Sequence, residues 1–235
     1  MRVGPPSMRV LCEASVLYVY AIADSTPVWE GTGLQGARLE AVREGDLIAV
    51  VTEHEDLPPQ PGEEDLWTHE GVVEQLMDAS TILPLRFGST VRDRNGLKEV
   101  LGQRRHEFTG LIGRLHGAVE LGVRARLETS ERPAVSAASP ASGPGGAYLL
   151  ELAERERGAA EILTQIHGPL TRLARRSRRM PGGLRQGTFK AAYLVDRARI
   201  EPFRAQVAEL AAEVDGVRIT CTGPWPPYSF SSETN

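Results

Sequence analysis

The feature that most constrains this chain of 235 residues is a tract of Ala, Ser, Pro and Gly at 129–146. Nothing in the tract can anchor a hydrophobic core, so we interpret it as a flexible linker. The remaining length suffices for two small domains, each with its own core. We expect an N-terminal domain at 1–128, a C-terminal domain at 147–222, and a tail at 223–235 that packs back on the protein.

The two halves of the chain also differ in net charge. Residues 1–130 carry 20 acids and 13 bases (13 − 20 = −7), whereas residues 131–235 carry 11 acids and 14 bases (14 − 11 = +3). Eleven acids and no Lys or Arg lie between Arg43 and Arg86. A net charge of −4 gives the whole molecule no strong field toward nucleic acid or anionic lipid. The two halves therefore present different surfaces.

Cysteine usage and hydropathy narrow the class of protein. Cys12 and Cys221 are too far apart in sequence to form a local metal-binding pair, and two cysteines make no disulfide framework. No apolar run approaches the ~18–20 residues that a membrane-spanning helix needs. We therefore expect a cytoplasmic protein without a membrane partner.

Hydrophobic periodicity predicts mixed secondary structure in the N-terminal half. Strands are predicted at 15–23 and 46–53. A helix is predicted at 63–80, with Leu66, Val73, Leu76 and Met77 on its apolar face. A strand at 81–91 is broken by Pro84, which places it at a sheet edge or a bulge. One apolar stripe then predicts a helix from Leu97 to Leu115, and strict alternation over 119–127 predicts a half-buried strand.

The C-terminal half repeats this mixture. A long helix starts near Ala147, Pro169 should kink or split it, and the Arg and Gly residues of 175–187 should end it. A strand at 188–195 precedes a helix that Asp196 can cap, and a last strand covers 217–222. Strands and helices mixed within each half predict an α+β fold with two small domains.

A glycine-rich segment offers one enzymatic alternative. Gly31-Thr32-Gly33-Leu34-Gln35-Gly36 matches the letters of a dinucleotide fingerprint. That mechanism needs a strand that ends at the first Gly and a helix that opens at the third. Here the predicted strand ends about eight residues early, so a hairpin loop is favoured over a nucleotide-binding enzyme.

The remaining candidates for chemistry are weak. His69-Glu70 resembles the start of a zinc helix, but the second histidine would fall at Val73. Because His69 shares the apolar face of its predicted helix, a buried, hydrogen-bonded histidine is favoured over a metal ligand. No catalytic constellation is found among the remaining residues, so we predict neither an enzyme nor a cofactor.

A basic run offers a second alternative, a nucleic-acid-binding module. It comprises Arg172, Arg175, Arg176, Arg178, Arg179 and Arg185. Arginines at a helix C-terminus, where they suit the helix dipole, are the favoured interpretation. Tyr18 and Tyr20 share one face of the first strand, as in RNA-recognition sheets, but that half is acidic and the companion basic-aromatic motif is missing.

Four pieces, in order, carry a resemblance to a known family. They are the opening strand Leu17–Ile22 with Tyr18 and Tyr20; His69-Glu70 followed by Ile82–Gly88, which contains Pro84, Arg86, Phe87 and Gly88; Tyr148-Leu149-Leu150; and the terminal Thr222–Phe230 with Gly223, Pro224, Trp225, Pro227 and Tyr228. On these residues, which span 17–230, the chain resembles the gas vesicle protein F/L family.

The resemblance implies an accessory or minor structural protein required for gas vesicle assembly. It implies contact with the small, very hydrophobic major shell protein and with other accessory proteins, and no catalytic residues. It also implies two α+β domains, at least one of them ferredoxin-like. The family-motif residues are then candidates for partner contact. We expect Trp225 to be buried, so that its replacement by Ala would cost about 3–5 kcal/mol.

Overall fold

The computed structural model describes residues 15–55, 62–127, 164–180 and 188–232. They divide into two compact units, the first ending at Arg114 and the second beginning at Leu115. Each unit contains an antiparallel sheet and helices, so the predicted α+β class is confirmed. The predicted linker at 129–146 and the motif piece at Tyr148 lie outside the described residues.

Unit 1 is a sheet with strand order β2-β3-β1-β4, in which a short strand, β5, also pairs with β1. The strands are β1 (Val16–Ala23), β2 (Glu40–Glu44), β3 (Leu47–His54), β4 (Ile82–Pro84) and β5 (Thr90–Val91). The helices are α1 (Glu63–Ala79), α2 (Arg94–Gln103) and α3 (Arg105–Leu115). All strand pairs are antiparallel.

The sequence of β1 explains its place inside the sheet. Its residues from Leu17 to Ala23 are all buried, as expected for a β-branched and aromatic strand covered on both faces. Helix α1 packs on β1 and β4. Its acidic first turn suits the helix dipole, and the Asp65 carboxylate accepts the Gly62 N–H at 2.9 Å. Pro84 ends the edge strand β4, as predicted.

Unit 2 is a sheet with strand order β7-β8-β6-β9. The strands are β6 (Ala118–Leu127), β7 (Arg176–Arg179), β8 (Thr188–Asp196) and β9 (Val217–Trp225). The helices are α4, described over 164–173, and α5 (Ile200–Glu213). Both β8 and β9 run antiparallel to β6, so they are parallel to each other across it.

The two faces of this second sheet differ in chemistry. Odd-numbered residues of β6, such as Leu121 and Val123, join Tyr193 of β8 in one core with Phe203 and Val207 of α5. Even-numbered residues of β6 therefore point away from the helices. The alternation of apolar and polar residues along β6 thus indicates which face of the sheet the helices cover.

Several expectations need correction. The domain boundary at 128 is wrong, because β6 pairs with β8 and β9 and so belongs to unit 2. The single helix at 97–115 is two helices that separate at Arg104. The described part of α4 is continuous through Pro169, so the helix is not split there, and a kink at Pro169 stays a prediction. Asp196 makes no side-chain capping bond and instead binds Arg175.

Candidate functional site: a tyrosine–histidine cluster and a C-terminal clamp

Three of the four motif pieces lie in the described residues, and two of them meet in unit 1. Tyr18 and Tyr20 come from β1, His69 from α1, and Phe87 from the loop between β4 and β5. The His69 ring stacks on Tyr20 with centroids 5.5 Å apart, and it meets Tyr18 and Phe87 edge to face. We call these four residues the tyrosine–histidine cluster. Aromatic pairs in such geometries stabilise beyond their burial alone.

Hydrogen bonds fix the cluster. Tyr18 Oη lies 2.9 Å from His69 Nδ1 and accepts the Gly88 N–H at 3.0 Å. Because that oxygen receives the amide proton, the Tyr18 hydroxyl is free to donate to Nδ1. His69 is also hydrogen-bonded to the backbone of Leu85. Tyr18 and His69, which belong to the family motif, thereby hold the Pro84–Gly88 segment in place through Gly88 and Leu85.

Burial governs the proton chemistry here. It lowers the pKa of His69 to about 4, and the bond to Leu85 opposes that decrease. Burial raises the pKa of Tyr18, and the Gly88 amide opposes the increase. Both groups are therefore neutral at neutral pH, which matches a hydrogen-bonded structural pair.

The glycine-rich loop of the enzymatic alternative is part of this packing. Leu34 N–H donates to Tyr20 Oη at 2.8 Å, and Gly33 N–H donates to Ala37 O at 2.8 Å. A Cβ at Gly33 would lie 2.2 Å from Tyr20 Oη, so only glycine fits. The second half of the segment, Leu34–Gly36, forms a single 3-10 turn. The helix N-terminus that a dinucleotide needs is not formed at Gly36, so the geometry does not favour nucleotide binding.

A buried polar chain on β3 was missed by the sequence reasoning. Tyr20 Oη lies 3.2 Å from Thr52 Oγ1, which lies 2.7 Å from His54 Nε2. His54 Nδ1 is in turn 3.0 Å from Gln35 Oε1. Polar residues at alternate positions of an apolar strand, Thr52 and His54, were the available signal. Within the described ranges, no three His, Cys, Asp or Glu residues group as metal ligands.

The third motif piece forms a clamp in unit 2. The Ser229 N–H and hydroxyl donate to the two oxygens of Glu120 at 2.8 and 2.7 Å. Arg178 donates to Ser229 O at 2.9 Å, and Arg204 donates to Gly223 O at 2.8 Å. Phe230 is buried at the end of the clamp. Burial raises the pKa of Glu120, and the two Ser229 bonds oppose the increase.

Trp225 was expected to be buried, but the structure leaves it exposed. It is 45% exposed, whereas Pro227 and Phe230 are buried, so the tail packs through residues other than its tryptophan. A Cβ at Gly223 would lie 2.7 Å from Glu120 O, and its φ is 105°, so this position also requires glycine.

The basic run is a helix C-terminus only in part, because Arg172 lies in the last turn of α4, which ends at residue 173. Three of its arginines, Arg176, Arg178 and Arg179, lie in β7, the edge strand of unit 2. Arg175 binds His116 O and the Asp196 carboxylate. Arg185 lies outside the described residues. Three of these arginines and Ser229 line a cleft of about 320 Å³ beside the clamp.

The candidate partner-contact residues separate by exposure. Tyr18, Tyr20, His69, Pro84 and Pro227 are buried; Glu70, Phe87, Gly223 and Tyr228 are half-buried; Arg86, Gly88, Pro224 and Trp225 are exposed. Packing explains the first group, because a partner cannot reach their side chains. Partner contact remains a prediction for the exposed group.

Comparison with known proteins decides the family. Residues 16–232 match the family described as gas vesicle synthesis protein GvpL/GvpF. The chain belongs to this family. It is 30% identical to gas vesicle protein L of Streptomyces sp. (strain CB03234), over 91% of this chain and 92% of that protein. Gas vesicle protein F of the same strain is 29% identical, over 91% of this chain and 98% of that protein. The similarity is thus shared by both types.

Solved structures agree with the fold. The crystal structure of GvpF from Anabaena sp. PCC7120 matches with a TM-score of 0.77 and 21% identity, over 94% of this chain and 98% of that one. GvpF from Microcystis aeruginosa matches with a TM-score of 0.72 and 18% identity, over 93% and 99% of the two chains. The family ties the chain to gas vesicles. None of its described helices is both long and apolar enough to cross a membrane.

Proposed function

We propose that this protein assists gas vesicle assembly by binding the major shell protein through an exposed apolar pair on α1. Trp67 is 67% exposed and Leu66 is 43% exposed, side by side in the first turns of that helix. The sequence pattern placed Leu66 on the buried stripe, but the structure leaves it at the surface. The exposed Trp67 is the observation that carries the proposal.

The physical reason is the energy of apolar contact. Exposed large apolar side chains mark interaction sites, and tryptophan is enriched among the residues that dominate binding energy. A shell subunit whose apolar face excludes water from the gas space presents a matching surface before assembly. Covering that face would suppress aggregation, and release at the growing shell would complete the step. The role requires no catalytic turnover.

Charge has a secondary part in this proposal. Helix α1 contains no Lys or Arg, and Glu63, Glu64 and Asp65 form its first turn. These carboxylates keep the apolar pair in solution and orient an approaching partner, while apolar contact supplies most of the affinity. The complex should therefore survive moderate salt.

Co-expression with the major shell protein tests the proposal. Wild type should raise the soluble fraction of the shell protein and be recovered with it at low and moderate salt. Trp67→Ala should weaken binding about 10-fold or more (~1.4 kcal/mol). Val28→Ala is the matched control, because Val28 is another exposed apolar residue of unit 1, at 74%. Equal binding by both variants would overturn the assignment to α1.

A second measurement separates assembly factor from shell component. The proposed assembly factor leaves after delivering the shell protein, so washed vesicles should hold far fewer copies of this chain than of the shell protein. A fixed, high ratio that resists washing would instead make the chain a structural part of the shell.

A further inference from the structure

A cleft follows the outer edge of β7 in unit 2. All four residues of that strand, Arg176–Arg179, line it together with Ser229, Phe230 and Ser232 of the C-terminal tail. Neighbouring residues of a strand point to opposite faces of the sheet, so a cavity lined by four in a row lies along the edge of the strand. We call this cavity, of about 320 Å³, the edge cleft.

The backbone of β7 presents hydrogen-bonding groups to the edge cleft. Among the described residues, β7 pairs only with β8. The Met180 N–H donates to Lys190 O at 2.9 Å, so the even-numbered residues of β7 direct their N–H and C=O groups at β8. Those of Ser177 and Arg179 therefore point the other way, to the outer edge. Such groups on an edge strand are a template for pairing with another chain.

The edge cleft is also basic. Its described lining contains three arginines and no acid. Arg178 donates to Ser229 O and so helps to hold the tail in place. Arg176 and Arg179 are exposed, and no described acid forms an ion pair with either of them. A guanidinium group presents a planar fork of donors that matches a carboxylate, so the cleft suits an acidic ligand.

We propose that an acidic, extended segment of a partner protein binds in the edge cleft as a fifth strand of the unit 2 sheet. Its main chain exchanges hydrogen bonds with Ser177 and Arg179, and its carboxylates lie against Arg176 and Arg179. Exposed ion pairs alone contribute little affinity, so the main-chain bonds supply most of it and the arginines select the partner. This site is in unit 2 and does not depend on the apolar pair on α1.

The lining disfavours two other occupants. A second copy of this chain, paired edge to edge, would bring the arginines of one β7 against those of the other, and like charges across strands destabilise a sheet. A single-stranded nucleic acid needs aromatic faces on which its bases stack. Phe230 is the one aromatic residue among the described lining residues, and it is buried.

Titration of the full chain with an acidic peptide tests the proposal. The probe is an alternating Glu-Thr peptide of about eight residues, within the usual length of a strand. Three comparison ligands are an alternating Gln-Thr peptide, the Glu-Thr peptide N-methylated at every residue, and inorganic phosphate. The first has no charge, the second has no backbone donors, and the third is an anion without a chain.

Two pairs of variants separate the arginines from the backbone. Arg176→Gln with Arg179→Gln removes two charges from the edge cleft. Its control, Arg126→Gln with Arg199→Gln, removes two charges from exposed arginines of unit 2 that do not line the cleft. Ser177→Pro removes one outward N–H and no bond to β8, whereas its control, Ser177→Ala, keeps that N–H. Melting temperatures verify that all four variants fold.

We expect the Glu-Thr peptide to bind at low ionic strength and to weaken as salt screens its charges. The Gln-Thr peptide should bind more weakly, the N-methylated peptide should not bind detectably, and phosphate should compete poorly. Arg176→Gln with Arg179→Gln should lose about 5-fold in affinity, and Ser177→Pro about 10-fold, which is ~1.4 kcal/mol. Both controls should stay within about 2-fold of wild type.

Several results would overturn the proposal. Failure of the Glu-Thr peptide to bind at low salt would do so, as would an equal loss of affinity in the Arg126 and Arg199 control. Equal binding of the N-methylated peptide, or competition by phosphate at a similar concentration, would show an anion site without strand pairing. This comparison decides the matter even where Ser177→Pro fails to fold. Self-association of the free chain that Arg176→Gln with Arg179→Gln abolishes would assign the edge to a second copy.

Discussion

The hydroxyl of Tyr18 lies 2.9 Å from Nδ1 of His69, and this contact joins positions 51 residues apart. It links the first strand of unit 1 to its first helix, and the Gly88 amide joins it from the loop after β4. Two separate pieces of the family motif are thus one hydrogen-bonded cluster. The motif records packing at these positions, and the exposed surface of α1 lies outside it.

Removing the Tyr18 hydroxyl tests the cluster. Tyr18→Phe removes the hydroxyl that bonds the buried His69 Nδ1 and the Gly88 N–H, which should cost about 1–3 kcal/mol of unfolding free energy. Chemical denaturation measures the loss. A double-mutant cycle with His69→Gln should give a coupling of about 0.5–3 kcal/mol. A coupling near zero would show that the two side chains act independently.

Acid should destabilise unit 1 through His69. Its folded pKa of about 4 lies below the ordinary value of 6.5, so the unfolded chain binds the proton first. The stability from the neutral ring is complete above pH 6.5 and is lost as pH falls toward 4. The loss should reach about 2–3 kcal/mol. NMR titration of the imidazole checks it, and protonation near pH 6.5 in the folded state would contradict it.

The C-terminal tail gives a matched pair of truncations. Phe230→Ala removes a ring that is 7% exposed and should cost about 3–5 kcal/mol. Trp225→Ala removes a larger ring that is 45% exposed, so it should cost much less. Melting temperatures compare the two directly. A larger loss for Trp225→Ala would mean that the tail packs through its tryptophan after all.

The clamp should depend on Ser229 and be insensitive to its neighbour Ser232. Ser229→Ala removes one of two bonds to the half-buried Glu120 carboxylate and should cost about 1.5–3 kcal/mol near neutral pH. Ser232→Ala, at an exposed position, should change stability by less than about 0.5 kcal/mol. Equal losses of stability in the two variants would show that the Ser229–Glu120 bonds do not stabilise the fold.

Proteolysis tests the predicted linker. Protease should cut first within 129–146, but the two fragments should remain associated. The reason is that β6 stays on the N-terminal fragment while β8 and β9 are on the other. Native size exclusion should show one peak and denaturing electrophoresis two bands. Separation under native conditions would contradict the described pairing of β6.

Periodicity predicted the elements whose own residues determine their structure. Strands β1, β3 and β6 and helix α1 follow the apolar patterns of their sequences. Strand β7 could not be predicted, because Arg-Ser-Arg-Arg has no apolar alternation and is extended only through pairing with β8. The boundary at 128 failed for the same reason: pairing, which lies outside any local window, decides the unit to which β6 belongs.

The sites show the same division. The motif identified His69 and the terminal segment, and the helical spacing placed His69 on a buried face. Neither the motif nor the helical spacing could show that Thr52 and His54 extend the polar chain. They also could not show that Glu120 binds Ser229, because the two residues are 109 positions apart in sequence. The sequence also predicted that Leu66 lies on the buried face of its helix and that Trp225 is buried, whereas both side chains are exposed. Apolar type gives the average tendency of a residue, whereas its exposure depends on the neighbours that the fold supplies.

The position of β6 has a consequence for the time course of synthesis. Unit 1 is complete once the ribosome has made Arg114, but β6 must wait for β8 and then for β9, which begins at Val217. At ~5–20 residues per second, the interval between the end of β6 and the start of β9 lasts about 5–20 s. A nascent chain therefore carries one finished unit and an orphan strand for several seconds. A premature stop before β9 would leave that strand permanently half-paired.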